Sequence, residues 1–94
     1  MRKYEVMYIL KALDEEVIEA TIAKFDGIIA AQGGTIDKTD RWGKRRLAYP
    51  IQDLTDGYYV LQHITGEPNV VSELDRLMKI SEELLRHMIL VVEE

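Results

Sequence analysis

Cysteine is absent from this chain of 94 residues. Its absence rules out disulfides, thiolate nucleophiles and cysteine metal sites, and suits a cytosolic setting. Long apolar runs are missing too. Nothing approaches the roughly 18 to 20 residues of a membrane span. The N-terminus, Met1-Arg2-Lys3-Tyr4-Glu5, lacks the apolar stretch of a signal peptide. There are only two histidines, His63 and His87, and neither stands beside an acid or nucleophile in a recognised motif, so acid–base catalysis has little to build on. The acids are scattered over helix starts and turns, whereas a metal needs convergent ligands. Gly33-Gly34 precedes a strand, so it cannot act as a phosphate-cradling loop that opens a helix. No repeat, linker or low-complexity segment is visible. The expectation is a protein without enzymatic activity, cofactor or metal.

What is present suits one soluble domain spanning 1–94, with 47% apolar residues for a core and 31% charged residues for a surface. The net charge is −5, which opposes any general coating of a polyanion. Against that background Arg41, Lys44, Arg45 and Arg46 put four cations in six positions with no acid among them. Trp42, the single tryptophan, lies inside the cluster beside Gly43, and Tyr49 follows. Arg and Lys bind phosphates through charge-assisted hydrogen bonds, and bases stack on aromatic or guanidinium planes. The competing reading is a solvated strand edge whose charges discourage aggregation.

Hydrophobic periodicity gives the order β-α-β-β-α-β. Arg2 to Leu10 alternates in period two, with Tyr4, Val6, Tyr8 and Leu10 on one face and Lys3, Glu5, Met7 and Ile9 on the other. Asp14, Glu15, Glu16 and Glu19 mark a helix start, where the helix dipole favours acids. Val17, Ile18, Thr21, Ile22, Phe25, Ile28 and Ile29 form that helix's apolar stripe, and Gly33-Gly34 closes it. A second strand is expected over Thr35–Tyr49 with a bulge at Gly43, then a turn through Pro50 and the polar run Gln52–Gly57. The third strand is Tyr58–Ile64. Pro68 suits the first turn of a second helix, whose buried stripe is Val70, Val71, Leu74, Leu77 and Met78. Leu84–Val92 is the last strand. This pattern fits a split β-α-β sandwich, α+β and ferredoxin-like, with both helices on one face of a four-stranded antiparallel sheet. The other face is left without helices. Met7, Ile9, Met88 and Leu90 fall there if register follows the alternation, and an exposed apolar face of that kind calls for a protein partner.

Single-strand RNA readers of this topology carry a glycine-spaced aromatic motif on a central strand. Tyr58-Tyr59-Val60-Leu61-Gln62-His63 lacks it, and the cations lie on the second strand instead. Folded RNA contacted along its backbone is the better fit. Two other users of the topology, an amino-acid-binding regulatory module and an acyl-phosphate hydrolase, need a glycine-rich turn after the first strand. Leu10-Lys11-Ala12-Leu13-Asp14 contains no glycine.

Met1-Arg2-Lys3-Tyr4-Glu5, W-G-K-R-R-L-A-Y-P-I from Trp42 to Ile51, and Gly57-Tyr58-Tyr59 together resemble the bacterial small-subunit ribosomal protein six family over essentially the whole chain. The resemblance implies a ferredoxin-like fold and a non-catalytic scaffolding role on the ribosome. It also implies binding to the central domain of small-subunit ribosomal RNA, paired with small-subunit ribosomal protein eighteen. On this reading Arg2, Lys3, Arg41, Lys44, Arg45 and Arg46 contact phosphate. Trp42 stacks on nucleotides or braces the second strand, bracing being favoured for Tyr49. Met7, Ile9, Tyr49, Met88 and Leu90 meet the protein partner. Some members of the family extend past the last strand in a charged tail. This chain stops at Val92-Glu93-Glu94, so any contact made by such a tail is expected to be missing.

Overall fold

A computed structural model of the chain describes residues 1–12 and 14–92; the expectation about the Glu93-Glu94 end lies outside the described residues. The elements are β1 (Arg2–Lys11), α1 (Glu15–Ala31), β2 (Thr35–Ile51), β3 (Leu54–Gly66), α2 (Pro68–Lys79) and β4 (Leu84–Val91). The strands form one sheet in the order β2-β3-β1-β4, with every neighbouring pair antiparallel. The order of elements and the ferredoxin-like arrangement are as the periodicity predicts.

Local chemistry sets the helix ends. The Asp14 carboxylate accepts a hydrogen bond from the Val17 N–H at 3.1 Å, capping α1 where its first amides have no helical partner. At the other end Gly33 has φ +86. Its N–H donates to the Ala30 carbonyl, and the Gly34 N–H donates to the Ile29 carbonyl at 2.9 Å. This paired closure depends on a residue that tolerates the left-handed region. Pro68 begins α2, where a missing N–H costs nothing.

Both helices pack on one face. Tyr4, Val6, Tyr8 and Leu10 of β1 are buried against Ile18, Ile22, Phe25 and Ile29 of α1 and against Val70, Leu74 and Met78 of α2. Tyr8 meets Phe25 edge-on, with centroids 5.3 Å apart. Burying side chains of this size contributes about 1.5–3 kcal/mol each. Among the described residues two polar side chains are buried in this layer: Thr21 of α1, whose Oγ1 donates to the Val17 carbonyl at 2.8 Å, and one on β3. Gln62 of β3 is fully buried, and its Nε2 donates to Asp26 Oδ1 on α1 at 2.8 Å and to Thr39 Oγ1 on β2 at 3.2 Å.

The β2–β3 hairpin is longer than its sequence suggests. The two strands continue to Ile51 and from Leu54, joined by a two-residue turn at Gln52-Asp53 with φ of 52 and 65. The expected turn over Gln52–Gly57 is therefore mostly strand. Its polar residues project from an extended ribbon with solvent around it, so the alternation that marks a half-buried strand is missing there. The bulge at Gly43 is found where expected, with φ +82 and a register shift between Arg41 and Gly43. It lies in mid-strand, well before the turn at Gln52-Asp53, and Trp42 lies beside it.

Candidate nucleic-acid and protein interface

Antiparallel pairing lays the helix-free face out in rungs across β3, β1 and β4. One rung holds His63, Glu5 and Leu90; the next holds Leu61, Met7 and Met88; the next holds Tyr59, Ile9 and Arg86. β2 forms one margin of this face and β4 the other.

Along β2 the cations divide by strand alternation. Arg41 pairs in register with the buried Val60, so it points to the helix side, where its guanidinium bonds Glu19 of α1. That contact raises the Arg41 pKa above its ordinary value. Lys44 lies in register with Tyr58, on the helix side like Arg41, with Nζ 4.0 Å from Asp56. Arg45 is in register with Gly57 and Arg46 with Asp56, and neighbouring strand residues project oppositely. Arg45 turns to the helix-free face. Its guanidinium sits 5.4 Å over the Trp42 ring, and its Nε donates to the Trp42 carbonyl at 3.4 Å. Trp42 in turn stacks on Tyr59, with centroids 6.2 Å apart and planes at 9°. The three side chains make a ladder of two rings and one guanidinium, and Trp42 keeps 41% of its surface exposed.

Arg2 and Lys3 are not part of this group. Arg2 pairs with Gly66 and Arg45 with Gly57, so the two arginines are separated by nine residues of β3, about 30 Å at the rise of a strand. Among the described residues Arg2 and Arg46 have no ionic partner. The predicted cations thus occupy two stations on the sheet and do not form one patch.

The apolar set also divides. Met88 and Leu90 are each 51% exposed and Met7 is half-buried, all on the helix-free face. Ile9 is only 8% exposed, which corrects its assignment to an open contact surface. Leu47 covers it, because Gly57 has no side chain at that point. A Cβ there would lie 2.4 Å from Ile9 Cγ2 and 3.2 Å from Leu47 Cδ2. Tyr49, expected to brace its own strand, reaches across the sheet and carries Arg86 of β4 over its ring at 5.3 Å.

A model of the family described as Ribosomal protein S6 matches residues 3–91. The chain belongs to that family. Its relatives include the small ribosomal subunit protein bS6 of Clostridium botulinum (strain Loch Maree / Type A3), 47% identical over 94 residues, covering 99% of this chain and all of that protein. Another is the bS6 protein of Exiguobacterium sibiricum, 50% identical over 90 residues and 95% of each chain. The crystal structure of 30S ribosomal protein S6 from Thermotoga maritima superposes with a TM-score of 0.91 at 28% identity, covering 97% of this chain and 87% of that one. Membership of the ribosomal protein S6 family makes the chain a structural, non-enzymatic component of the small ribosomal subunit, at work on cytoplasmic ribosomes.

Tyr59 and Arg86 join the candidate surface although the sequence reading passes over them. A signal for Tyr59 was available: β3 alternation puts it on the face opposite Val60, beside the bulge at Gly43. Arg86 offered only an interruption in an apolar strand. His87 has an acid that its sequence neighbours do not reveal. Its Nε2 lies 2.7 Å from Asp75 Oδ1 on α2, a tie that docks the helix on β4.

Proposed function

We propose that this ribosomal protein S6 family member, acting as one domain over 1–94, binds the central domain of small-subunit ribosomal RNA together with small-subunit ribosomal protein eighteen. One observation carries the reading: cations gather along one margin of the sheet while apolar side chains stand exposed toward the other. Phosphates are met by Arg45, Arg46, Lys44 and Arg41 on β2 and, at the far end, by Arg2 and Lys3. Arg41 and Lys44 already have carboxylate partners in Glu19 and Asp56. Exposed pairs of that kind are worth roughly 0–1 kcal/mol, so a phosphate replaces them at small cost. Trp42 and Tyr59 keep the Arg45 guanidinium in place, which reduces the entropy lost when it binds. The protein partner covers Met7, Met88, Leu90 and the exposed edge of Tyr49; Ile9, already covered, is left out of that set.

With a net charge of −5, the free chain repels a polyanion except near its basic stations. Two weak RNA binders joined into one unit overcome this, because the second contact becomes intramolecular. The test is binding of the purified chain to the RNA central domain, with and without the partner protein. The pair should bind far more tightly than either protein alone. Equal affinity of the isolated chain and the pair would sink the reading.

A further inference from the structure

Arg86 projects from β4 on the helix-free face, in register with Ile9. Among the described residues its guanidinium has no hydrogen bond and no carboxylate partner, only the Tyr49 ring. A ring stacked on a guanidinium covers the flat face and leaves the N–H donors, which lie in the plane, free to fork onto an anion. Tyr49 therefore orients Arg86 without consuming its hydrogen-bonding capacity. Beside it Met7, Ile9, His87 and Met88 line a small apolar hollow of about 30 Å³. Further along β4 come Met88 and Leu90, and Leu90 stands in register with Glu5. Glu5 has no hydrogen bond or ion pair among the described residues. From Arg86 to Leu90 is four residues, about 13 Å of strand. The strip is thus positive at one end, apolar in the middle and negative at the other.

We propose that Arg86 is the charged anchor of a polarised docking strip, which takes an amphipathic segment of the protein partner. The segment presents a carboxylate to Arg86, apolar side chains to Met7, Met88 and Leu90, and a basic side chain to Glu5. This rests on the partner reading above. A nucleic acid is the poorer occupant, because it would lay phosphates over methionine and leucine and beside the Glu5 carboxylate. A second copy of this chain would bring two negatively charged molecules together.

Calorimetric titration of the chain with the partner protein, without RNA, tests the proposal. Arg86→Ala should weaken the complex about thirtyfold, the scale for truncating one side of a desolvated charge pair. Arg86→Lys should recover only part of that loss, since an ammonium lacks the fork. Tyr49→Ala should lower affinity as well, because the ring that orients Arg86 is lost. Glu5→Arg should weaken the complex and Lys24→Ala, on the outer face of α1, should not. Unchanged partner affinity in Arg86→Ala overturns the proposal. So does a loss confined to RNA binding, with the salt slope reduced by about one, which would make Arg86 a phosphate ligand. Self-association of the chain that Arg86→Ala abolishes would assign the strip to a second copy and overturn it as well. Failure of the unaltered chain to bind the partner at all would remove the underlying reading along with it.

Discussion

At one margin of the sheet β2 carries Lys38, Arg41, Lys44, Arg45 and Arg46, and its pairing with β3 shifts register in three places. At the other, β4 pairs with β1 from Tyr4 to Ile9 without a shift and exposes Met88, Leu90 and Val91. Both are edge strands with unpaired backbone groups. β2 has the features that keep an edge from recruiting another strand: repeated charge, bulges and local twist. β4 has fewer: Arg86 and a single register shift at its start, where its pairing with β1 passes from Ile9 to Leu10. The difference fits the proposal made above, in which the two margins face different neighbours. Charge and irregularity suit an irregular polyanion, whereas a regular apolar strand left bare needs a protein to cover it.

The contrast can be broken most directly on β4. Met88→Asp with Leu90→Asp should reduce affinity for the protein partner by about a hundredfold or more, since two exposed apolar side chains are exchanged for charges that resist desolvation. Thermal stability should change little, because both residues lie outside the core. Titration with the partner decides this, and an unaltered affinity would mean that the apolar margin is ordinary surface.

On β2, Arg45→Ala with Arg46→Ala should lower RNA affinity of the assembled pair and reduce the slope of log affinity against log salt by one to two, roughly one per phosphate contact. The comparison is Lys24→Ala, which removes a charge on the outside of α1. An equal loss there would reduce β2 to a solvated edge.

Trp42→Ala sharpens the comparison by asking whether the ring ladder supports the fold or presents a surface. The ring is part-exposed and stacked on one neighbour, so the loss in denaturant titration should fall below the roughly 3–5 kcal/mol of a core aromatic. A value at the top of that range would place the ladder among the residues that hold the fold.

The smallest effect concerns the tie beneath β4. Hydrogen bonds from Lys79 first and His87 second hold the Asp75 carboxylate below its ordinary pKa. A carboxylate so depressed stabilises the fold fully above its unfolded value and loses that contribution as pH falls through the folded one. Asp75→Asn should therefore lower stability slightly at neutral pH and flatten the acid limb below about pH 4. Parallel acid titrations of the two proteins would show it, and superimposable curves would mean that the tie contributes nothing.

What could be read from the chain without coordinates was whatever is encoded locally. Alternation in β1, the acidic start of α1, the Gly33-Gly34 closure, Pro68 and the Gly43 bulge each depend on residues within a few positions of one another. Together they were enough for element order and fold. Family-specific residues then carried the ribosomal reading. The features missed depend on distant partners. Asp75 meets His87 only because α2 lies across β4, and Tyr49 meets Arg86 only because the hairpin bends over the sheet. Ile9 looked open because its alternation is right, yet Leu47 covers it from a strand that is not its neighbour. The length of the hairpin escaped notice because a ribbon solvated on both sides has no reason to alternate.

The strand order has a consequence for synthesis. β1 is made first but lies in the interior of the sheet, and both its neighbours, β3 and β4, come later in the chain. A nascent chain that has emerged through α1 has a helix and a strand but nothing to zip that strand into. With β3 in place one flank of β1 is closed, and the other stays bare until residues 84–91 are free. At about 5–20 residues per second the wait is a matter of seconds. During that interval the central strand, apolar on one face and partly so on the other, is the segment of the newborn protein most in need of shelter.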